Sequence, residues 1–243
     1  MPKRHSYHFI PTALPLSTRL RPALAAVALV GAAWASTTSA WAAGDSDLYA
    51  LPDAAAEARA VNLAASVMRH ADAAGRAFGI IDKQAATLWV FDGRGQPVAS
   101  TPVLVGAARG DVAPPDIGTR PLARVRPHEK VTSAGRYVTE PGENHRGEDI
   151  VWLDYDSALS MHRVRHVSGE SRPQRLASAT VADNRISFGC VNIPPHFYDR
   201  YIDPLFSRSS GVVYVLPESR SLASVFPFAA NMSSTPVAQG AKR

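Results

Sequence analysis

Residues 79–95, with the sequence GIIDKQAATLWVFDGRG, decide the fold class of this chain. Two β-rich runs, 79–82 and 87–91, lie close together, and a turn that begins at Asp92 leads into a third run at 98–105. Runs of this kind around an Asp-Gly turn are typical of a β-hairpin. Further β-rich runs lie at 136–138, 150–153, 158–164 and 211–216. We therefore predict a mostly β fold.

Helices are expected only at the margins of these strands. Residues 53–69 are rich in alanine and carry apolar residues at helical spacing, with Asp53 suited to the N-cap and Gly75 to a stop. A disordered linker is the alternative for this segment. Pro194 and Pro195 favour a second, short helix over 196–202. Strands and helices do not alternate, and Gly-x-Gly-x-x-Gly and P-loop motifs are absent, so a doubly wound nucleotide-binding fold is not expected.

Two long segments without periodicity, 106–129 and 168–184, predict surface loops. Loops of that length inside a compact domain are often functional. The first loop carries several cations that either meet substrate carboxylates or remain solvated charge. These cations are Arg109, Arg120, Arg124 and Arg126. Little pattern follows residue 218, so we expect 219–243 to be a flexible tail.

The first 42 residues have the three parts of a secretory signal. Four basic residues and no acidic one precede an apolar run at 23–34, and small residues then lead to Ala40-Trp41-Ala42. An uncleaved anchor is the alternative, but the apolar run is shorter than the roughly 20 residues that span a bilayer. We therefore expect export to the periplasm or cell envelope, and no membrane span in the mature form. The expected organisation is a signal over 1–42, a helical segment over 43–77 and a main domain over 78–218.

The net charge carries little functional information. The chain has 26 Lys+Arg and 21 Asp+Glu, and removal of the four basic residues of the signal leaves 22 against 21. A basic stripe with interleaved aromatic residues is also absent, so nucleic acid is not an expected partner.

Cys190 is the only cysteine of the chain. Exported proteins usually pair their cysteines or have none, and a single cysteine has no partner within its chain. It is therefore an intermolecular linker, a buried inert thiol or a reactive nucleophile. The segment Ser187-Phe188-Gly189-Cys190 favours the nucleophile, because Gly189 permits a sharp turn that exposes the sulfur and presents backbone amides to an oxyanion.

A thiol attacks as thiolate, so a base must lie nearby. Strand alternation places Ser160, His162 and Val164 on one face, with His166 on the same face if the strand continues. Spacing favours His162 or His166 over His196, which falls inside the predicted helix. A purely structural histidine is the alternative in each case.

His162 and the segment from Arg185 to Asn192 resemble the signature of the L,D-transpeptidase (YkuD-type) catalytic domain family. That signature is a histidine, a spacer and then Ser/Thr-His-Gly-Cys-apolar-Asn/Arg. Residues 132–137, TSAGRY, are similar to the Thr-Pro-x-Gly-x-Phe segment of the family, and the early hairpin resembles its opening hairpin. The resemblance covers residues 78–217.

This resemblance implies a fold of curved, mixed sheets with a sandwich-like or barrel-like arrangement. It implies a cysteine enzyme that acts on peptidoglycan stem peptides without a metal or organic cofactor. Cys190 would be the nucleophile and His162 its base, Ser187 would shape the turn, and Gly189 with the Cys190 amide would form the oxyanion hole. The substrate would be recognised around Asn192, Phe188 and Arg163. The reaction implied is transfer through a thioester to give a 3-3 cross-link.

Three features depart from the family pattern. Phe188 stands where the family has histidine, Arg163 stands where glycine is common, and the spacing of 28 positions from His162 to Cys190 is long. The nucleophile and base remain, so these departures affect the expected substrate more than the chemistry.

Three other functions are compatible with these residues. A hydrolase on the same scaffold, an L,D-carboxypeptidase or an amidase, would let water attack the thioester. A non-catalytic wall-binding module would have an unreactive thiol. A metal site of His162, His166 and Cys190 lacks an obvious fourth ligand. The sequence does not indicate an oligomeric state.

Overall fold

The computed structural model describes residues 53–234. The predicted signal over 1–42 lies outside these residues, as do residues 43–52 and 235–243. The described part is mostly β, as predicted, with three sheets and few helices. None of its helices between residues 53 and 234 is long and apolar enough to cross a bilayer.

The largest sheet has five strands. In the order in which they lie side by side, they are β3 (Pro97–Pro102), β2 (Thr87–Phe91), β1 (Phe78–Asp82), β11 (Val212–Val215) and β5 (Gly135–Val138). The predicted hairpin is confirmed, because β1 pairs antiparallel with β2 and β2 with β3. β1 pairs in parallel with β11, which is more than 120 residues away along the chain. Every residue of β1, β2 and β11 is buried, because this sheet is covered on both faces.

A second sheet has four strands, and a third has two. The second is ordered β10 (Val191–Ile193), β8 (Leu159–Arg163), β7 (Asp149–Asp154) and β6 (Glu140–Glu143), and the third pairs β4 (Val105–Gly106) with β9 (Arg185–Ser187). The strand β6 was not predicted, because Glu140-Pro141-Gly142-Glu143 has no β-rich composition and forms a strand only through its pairing with β7. An isolated bridge between Leu104 and Asn192 joins the chain before β4 to β10.

The main core lies between the five-stranded and four-stranded sheets. It takes Ile81, Leu88 and Val213 from the first sheet and Met161, Val191 and Ile193 from the second. The helix after Cys190 adds Phe197, Ile202 and Phe206. This helix begins as α3 (Pro195–Phe197) and continues as a π-helical segment, Tyr198–Ser207, so the predicted second helix is confirmed and is longer than expected.

The other face of the five-stranded sheet is covered by α1 (Ala54–Arg69). Asp53 caps this helix as predicted, and its carboxylate accepts a hydrogen bond from the Ala56 amide at 2.6 Å. The helix ends at His70, before the predicted stop at Gly75. Ala60, Leu63 and Val67 are buried against the strands.

The prediction of a flexible tail from residue 219 is wrong for its first part. Residues Leu222–Val225 form α4, and Pro227–Ser234 form a 3-10 helix. Phe226 and Ala229 are buried beside α1 and Tyr214. They belong to a second hydrophobic core, which lies between α1 and the five-stranded sheet. The few apolar residues of the segment show no helical periodicity, which is why the sequence did not reveal the packing.

The two long predicted loops contain short helical turns. Leu122–Arg124 and Pro127–Glu129 are 3-10 turns in the first loop. The second loop holds α2 (Arg172–Leu176) and a 3-10 turn at Val181–Asn184. The second loop connects β8, which carries His162, to β9, which ends shortly before Cys190 along the chain.

Candidate active site

Cys190 lies directly before β10, and β10 is the parallel neighbour of β8. In this register Val191 is opposite Met161 and Asn192 is opposite His162. Because side chains alternate along a strand, Val191 and Met161 enter the core while the residues on either side of them point to the opposite face. That face holds Cys190, Ser160 and His162, and the Ser160 Oγ donates to the Cys190 Sγ at 3.4 Å.

His162 is oriented by a backbone hydrogen bond. Its Nδ1 lies 2.8 Å from the carbonyl oxygen of Arg163. A carbonyl only accepts, so Nδ1 carries a proton, and Nε2 is the ring nitrogen left for the thiol. The arrangement therefore assigns the exchange of the thiol proton to Nε2.

The surroundings of Cys190 favour its thiolate. Burial raises the pKa of the Cys190 thiol, but the hydrogen bond and charge of His162, with hydrogen bonds from Ser160, outweigh burial and lower that pKa below its ordinary value. The thiol is half-buried, and its Sγ lies 3.2 Å from the carbonyl oxygen of Ala158, to which the protonated form donates. A half-buried thiol with a lowered pKa and an adjacent base has the chemistry of a nucleophile.

Ser187 and Thr132 hold the turn that presents Cys190. The Ser187 Oγ donates to the Cys190 carbonyl at 2.6 Å and accepts from the Gly189 amide at 3.1 Å. The Thr132 Oγ1 donates to the Gly189 carbonyl at 2.6 Å and accepts from the Gly106 amide at 2.8 Å. The turn is therefore fixed from within by Ser187, at the position predicted for it, and from outside by Thr132.

Gly189 serves the turn through its backbone conformation. Its φ is +139°, and a Cβ there would lie 2.9 Å from the carbonyl oxygen of Val131. Its amide already donates to Ser187, so the predicted use of this amide in an oxyanion hole does not fit the geometry. No hydrogen bond from the Cys190 amide is present among residues 53–234, so this amide remains a candidate donor to an oxyanion.

We expect Gly189→Ala to lower the free energy of unfolding by about 2 kcal/mol and to slow alkylation of Cys190, because the side chain adds backbone strain and a contact with Val131. Urea denaturation and iodoacetamide labelling measure the two effects. Gly169→Ala is the matched control, since Gly169 has φ +81° and nothing within 4 Å of its Cβ position. Equal stability losses in the two variants, with labelling at the wild-type rate, would contradict this role of Gly189.

Arg163 is engaged in ion pairs, and Asn192 is buried beside the turn of the nucleophile. The guanidinium of Arg163 pairs with Asp149 at 2.8 Å and Asp199 at 2.6 Å and stacks 4.2 Å from the ring centroid of Tyr198. Its contribution to the site is the carbonyl that orients His162. Asn192 is fully buried and donates to the Cys190 carbonyl at 3.2 Å, so it supports the nucleophile without reaching solvent. Asn192 is therefore a positioning residue in this geometry, whereas Arg163 also lines a cavity together with His162.

Phe188 is half-buried and lines a small recess. The ammonium of Lys130 lies 3.9 Å from its ring centroid. Ile117, Val131 and Leu159 line the same recess, which Gly189 also borders.

The arginines of the first loop are mainly engaged in ion pairs. Arg120 pairs with Asp116 and, at 2.6 Å, with Glu129. Arg109 and Arg126 pair with Glu218 and Glu129. These contacts favour local charge pairing over recognition of substrate carboxylates.

The alternative site of His162, His166 and Cys190 does not assemble as a metal centre. His166 is exposed, and among residues 53–234 no group of three or more His, Cys, Asp or Glu side chains is arranged to hold a metal ion. His196, on the helix after Cys190, is half-buried.

Sequence reasoning missed three residues of this site. Ser160 was placed on the face of His162 by alternation, but its bond to Cys190 depends on which strand neighbours β8. Thr132 was noted only as part of a motif. Arg172 belongs to a loop without periodicity, and its Nη1 donates to the Asn192 Oδ1 at 2.8 Å.

Comparison with known proteins gives distant structural likenesses only. No family model and no curated protein matches this chain. Among solved structures, the catalytic domain of an E. faecium L,D-transpeptidase is similar over 58% of this chain and 98% of that domain, with 16% identity and a TM-score of 0.32. Mycobacterium tuberculosis L,D-transpeptidase 1 and an L,D-transpeptidase of Mycobacterium smegmatis have the same identity, TM-score and coverage of this chain. The likeness spans 61% and 58% of their own lengths. At such identities and TM-scores it carries no information about activity.

Proposed function

We propose that this protein is an exported cysteine acyltransferase of the L,D-transpeptidase type that forms 3-3 cross-links between peptidoglycan stem peptides. The observation that carries the proposal is the thiol of Cys190 beside the imidazole of His162 and the hydroxyl of Ser160, with the thiol pKa lowered. The signature from His162 to Asn192 supports the substrate class, and the basic and apolar pattern of residues 1–42 supports a location in the periplasm or cell envelope.

The acylation half-reaction follows from the positions of these groups. Nε2 of His162 takes the thiol proton, and the sulfur of Cys190 attacks the carbonyl carbon of the third stem residue. The amide of Cys190 donates to the oxyanion that forms. The C–N bond then breaks, His162 returns the proton to the leaving amine, and the terminal D-alanine departs. The products are a thioester on Cys190 and free D-alanine.

In the second half-reaction His162 again acts as a general base, now toward the acceptor amine. An amine from another stem peptide loses its proton to His162 and attacks the thioester carbonyl. The C–S bond breaks, and Cys190 leaves as the thiolate that Ser160 and His162 stabilise. The side chains named here supply all proton transfers, and the proposed reaction has no step that needs a metal or an organic cofactor.

Incubation of the purified protein with disaccharide-tetrapeptides tests this function. We expect release of D-alanine, a thioester adduct on Cys190 and dimers joined by 3-3 cross-links, all resolved by mass spectrometry. Protein alkylated beforehand with iodoacetamide is the control and should give none of these products. Monomeric tripeptides in place of dimers would indicate hydrolysis on the same scaffold. Absence of both products would contradict the proposed substrate class, and the wall-binding alternative would then be tested by sedimentation with peptidoglycan.

A further inference from the structure

Resting on the proposed function, we infer that Arg172 binds the terminal carboxylate of the donor peptide and is a specificity-determining residue of this site. Arg172 begins α2 in the loop between β8 and β9. Its side chain is only 11% exposed although the loop lies at the surface. A loop arginine whose side chain is this strongly buried is held by specific contacts and is not a solvated charge.

The contacts of Arg172 place its guanidinium on the face that carries the nucleophile. Its Nη1 donates to the Asn192 Oδ1 at 2.8 Å. Asn192 is opposite His162 in the β8–β10 register and donates to the Cys190 carbonyl. Asn192 therefore links Arg172 to the backbone of the nucleophile, since it accepts from the guanidinium and donates to the Cys190 carbonyl.

The guanidinium of Arg172 keeps donors available for a ligand. Its Nε pairs with Glu170 at 2.5 Å, and its Nη1 makes the bond to Asn192. Its Nη2 has no protein partner among the described residues. The Arg172 side chain as a whole keeps 11% of its surface exposed. A planar guanidinium with free N–H groups matches the geometry of a carboxylate.

The loop is built to hold Arg172 in place. Ser171, directly before it, has a left-handed backbone with φ +47°, which costs energy for a residue with a Cβ. Arg175 fastens the loop by donating to the carbonyl oxygens of Glu170 at 2.9 Å and Asp183 at 3.2 Å. A cation fixed in advance loses little conformational freedom on binding, which favours tight recognition.

A carboxylate is the ligand that the proposed reaction brings to this place. The leaving D-alanine carries the free carboxylate of the donor peptide and departs from the carbonyl carbon that Cys190 attacks. Arg172, held against Asn192 beside the turn of the nucleophile, is the cation that we expect to meet this group. Glu170 partly neutralises Arg172 in the free protein, so a peptide carboxylate and Glu170 share the guanidinium when the donor is bound.

The test compares a tetrapeptide donor that ends in a carboxylate with the same donor that ends in a carboxamide. We expect the wild type to prefer the carboxylate by at least about tenfold in kcat/KM. Arg172→Gln should lose this preference through a higher KM for the acid. Arg172→Lys should retain part of the preference and Glu170→Gln should increase it. Arg208→Gln is the control for net charge, because Arg208 is exposed and pairs with Asp203.

A second readout does not depend on peptidoglycan. Iodoacetate and iodoacetamide alkylate the same thiol and differ in the charge of one small group. The ratio of their rate constants at Cys190 should fall at least about fivefold in Arg172→Gln and stay constant in Arg208→Gln. If the wild type uses neither peptide but this ratio falls, the proposed function fails and the carboxylate site stands. If the peptides are used while both the acid preference and the ratio are unchanged in Arg172→Gln and Arg172→Lys, the role of Arg172 is overturned.

Discussion

The variant His162→Ala should alkylate at Cys190 about 100-fold more slowly than the wild type at pH 6, a loss in the usual range for a missing general base. Two influences on the thiol change together. Burial raises the pKa of Cys190 in both proteins, whereas the hydrogen bond and charge of His162 lower it only in the wild type. The variant therefore holds less thiolate at any pH below its own thiol pKa.

The dependence of the Cys190 alkylation rate on pH shows the direction in which His162 shifts the thiol pKa. Because the wild-type thiol pKa is lowered, its reactivity should reach a plateau at a lower pH than that of the variant. The two curves should converge at high pH, where both thiols are ionised. Iodoacetamide labelling between pH 4 and 10 measures the profiles, and exposed His166 provides the control variant His166→Ala. Coincident profiles for His162→Ala and wild type would show that His162 is not the base.

Asp111→Asn should lower the free energy of unfolding by about 3–5 kcal/mol, because it leaves a buried ammonium without its nearest charge partner. Lys83 and Asp111 have side chains that are each only 1% exposed, and they pair at 2.8 Å. The Lys83 ammonium also donates to the Thr132 carbonyl at 2.9 Å. The variant retains Glu218 at 3.9 Å as the other acidic partner of Lys83. The same pair therefore supports Thr132, which holds the turn of the nucleophile.

The acid dependence of this stabilisation has a definite direction. Burial raises the pKa of Asp111, but bonds from Lys83, Ser219 and the amides of Glu218 and Arg220 lower it well below its usual range. A carboxyl with a depressed pKa stabilises the fold above its ordinary pKa of about 3.9, and this contribution is lost as pH falls below that value. The stability gap between wild type and Asp111→Asn should therefore be smaller at pH 3 than at pH 6.5.

Urea denaturation at the two pH values measures this gap. Asp116→Asn is the control, because Asp116 is an exposed carboxylate paired with Arg120 on the surface, and it should shift the midpoint little at either pH. A gap that stays the same at pH 3 and pH 6.5 would contradict the assignment of an ionised, buried Asp111.

The elements of the fold that sequence reasoning located are those with local signals. The hairpin over β1, β2 and β3 has β-rich runs and an Asp-Gly turn, and α1 has helical spacing and the cap Asp53. The strand β6 and the packed segment after residue 221 have no such signal, because neighbouring elements decide their conformation. The sequence therefore predicted the elements whose conformation is determined by residues within the same short segment.

The candidate site divides in the same way. The solitary Cys190, the turn before it and the alternation that places Ser160 with His162 were readable from the sequence, since each depends on adjacent residues. The contacts between Ser160 and Cys190, Thr132 and Gly189, and Arg172 and Asn192 join residues 20 to 57 positions apart. Only the tertiary structure decided these contacts, because they depend on which strands become neighbours and where the loops are pinned. Strand order and loop placement are determined by the free energy of the whole domain. They therefore produce no periodic pattern of residues in any single segment of the sequence.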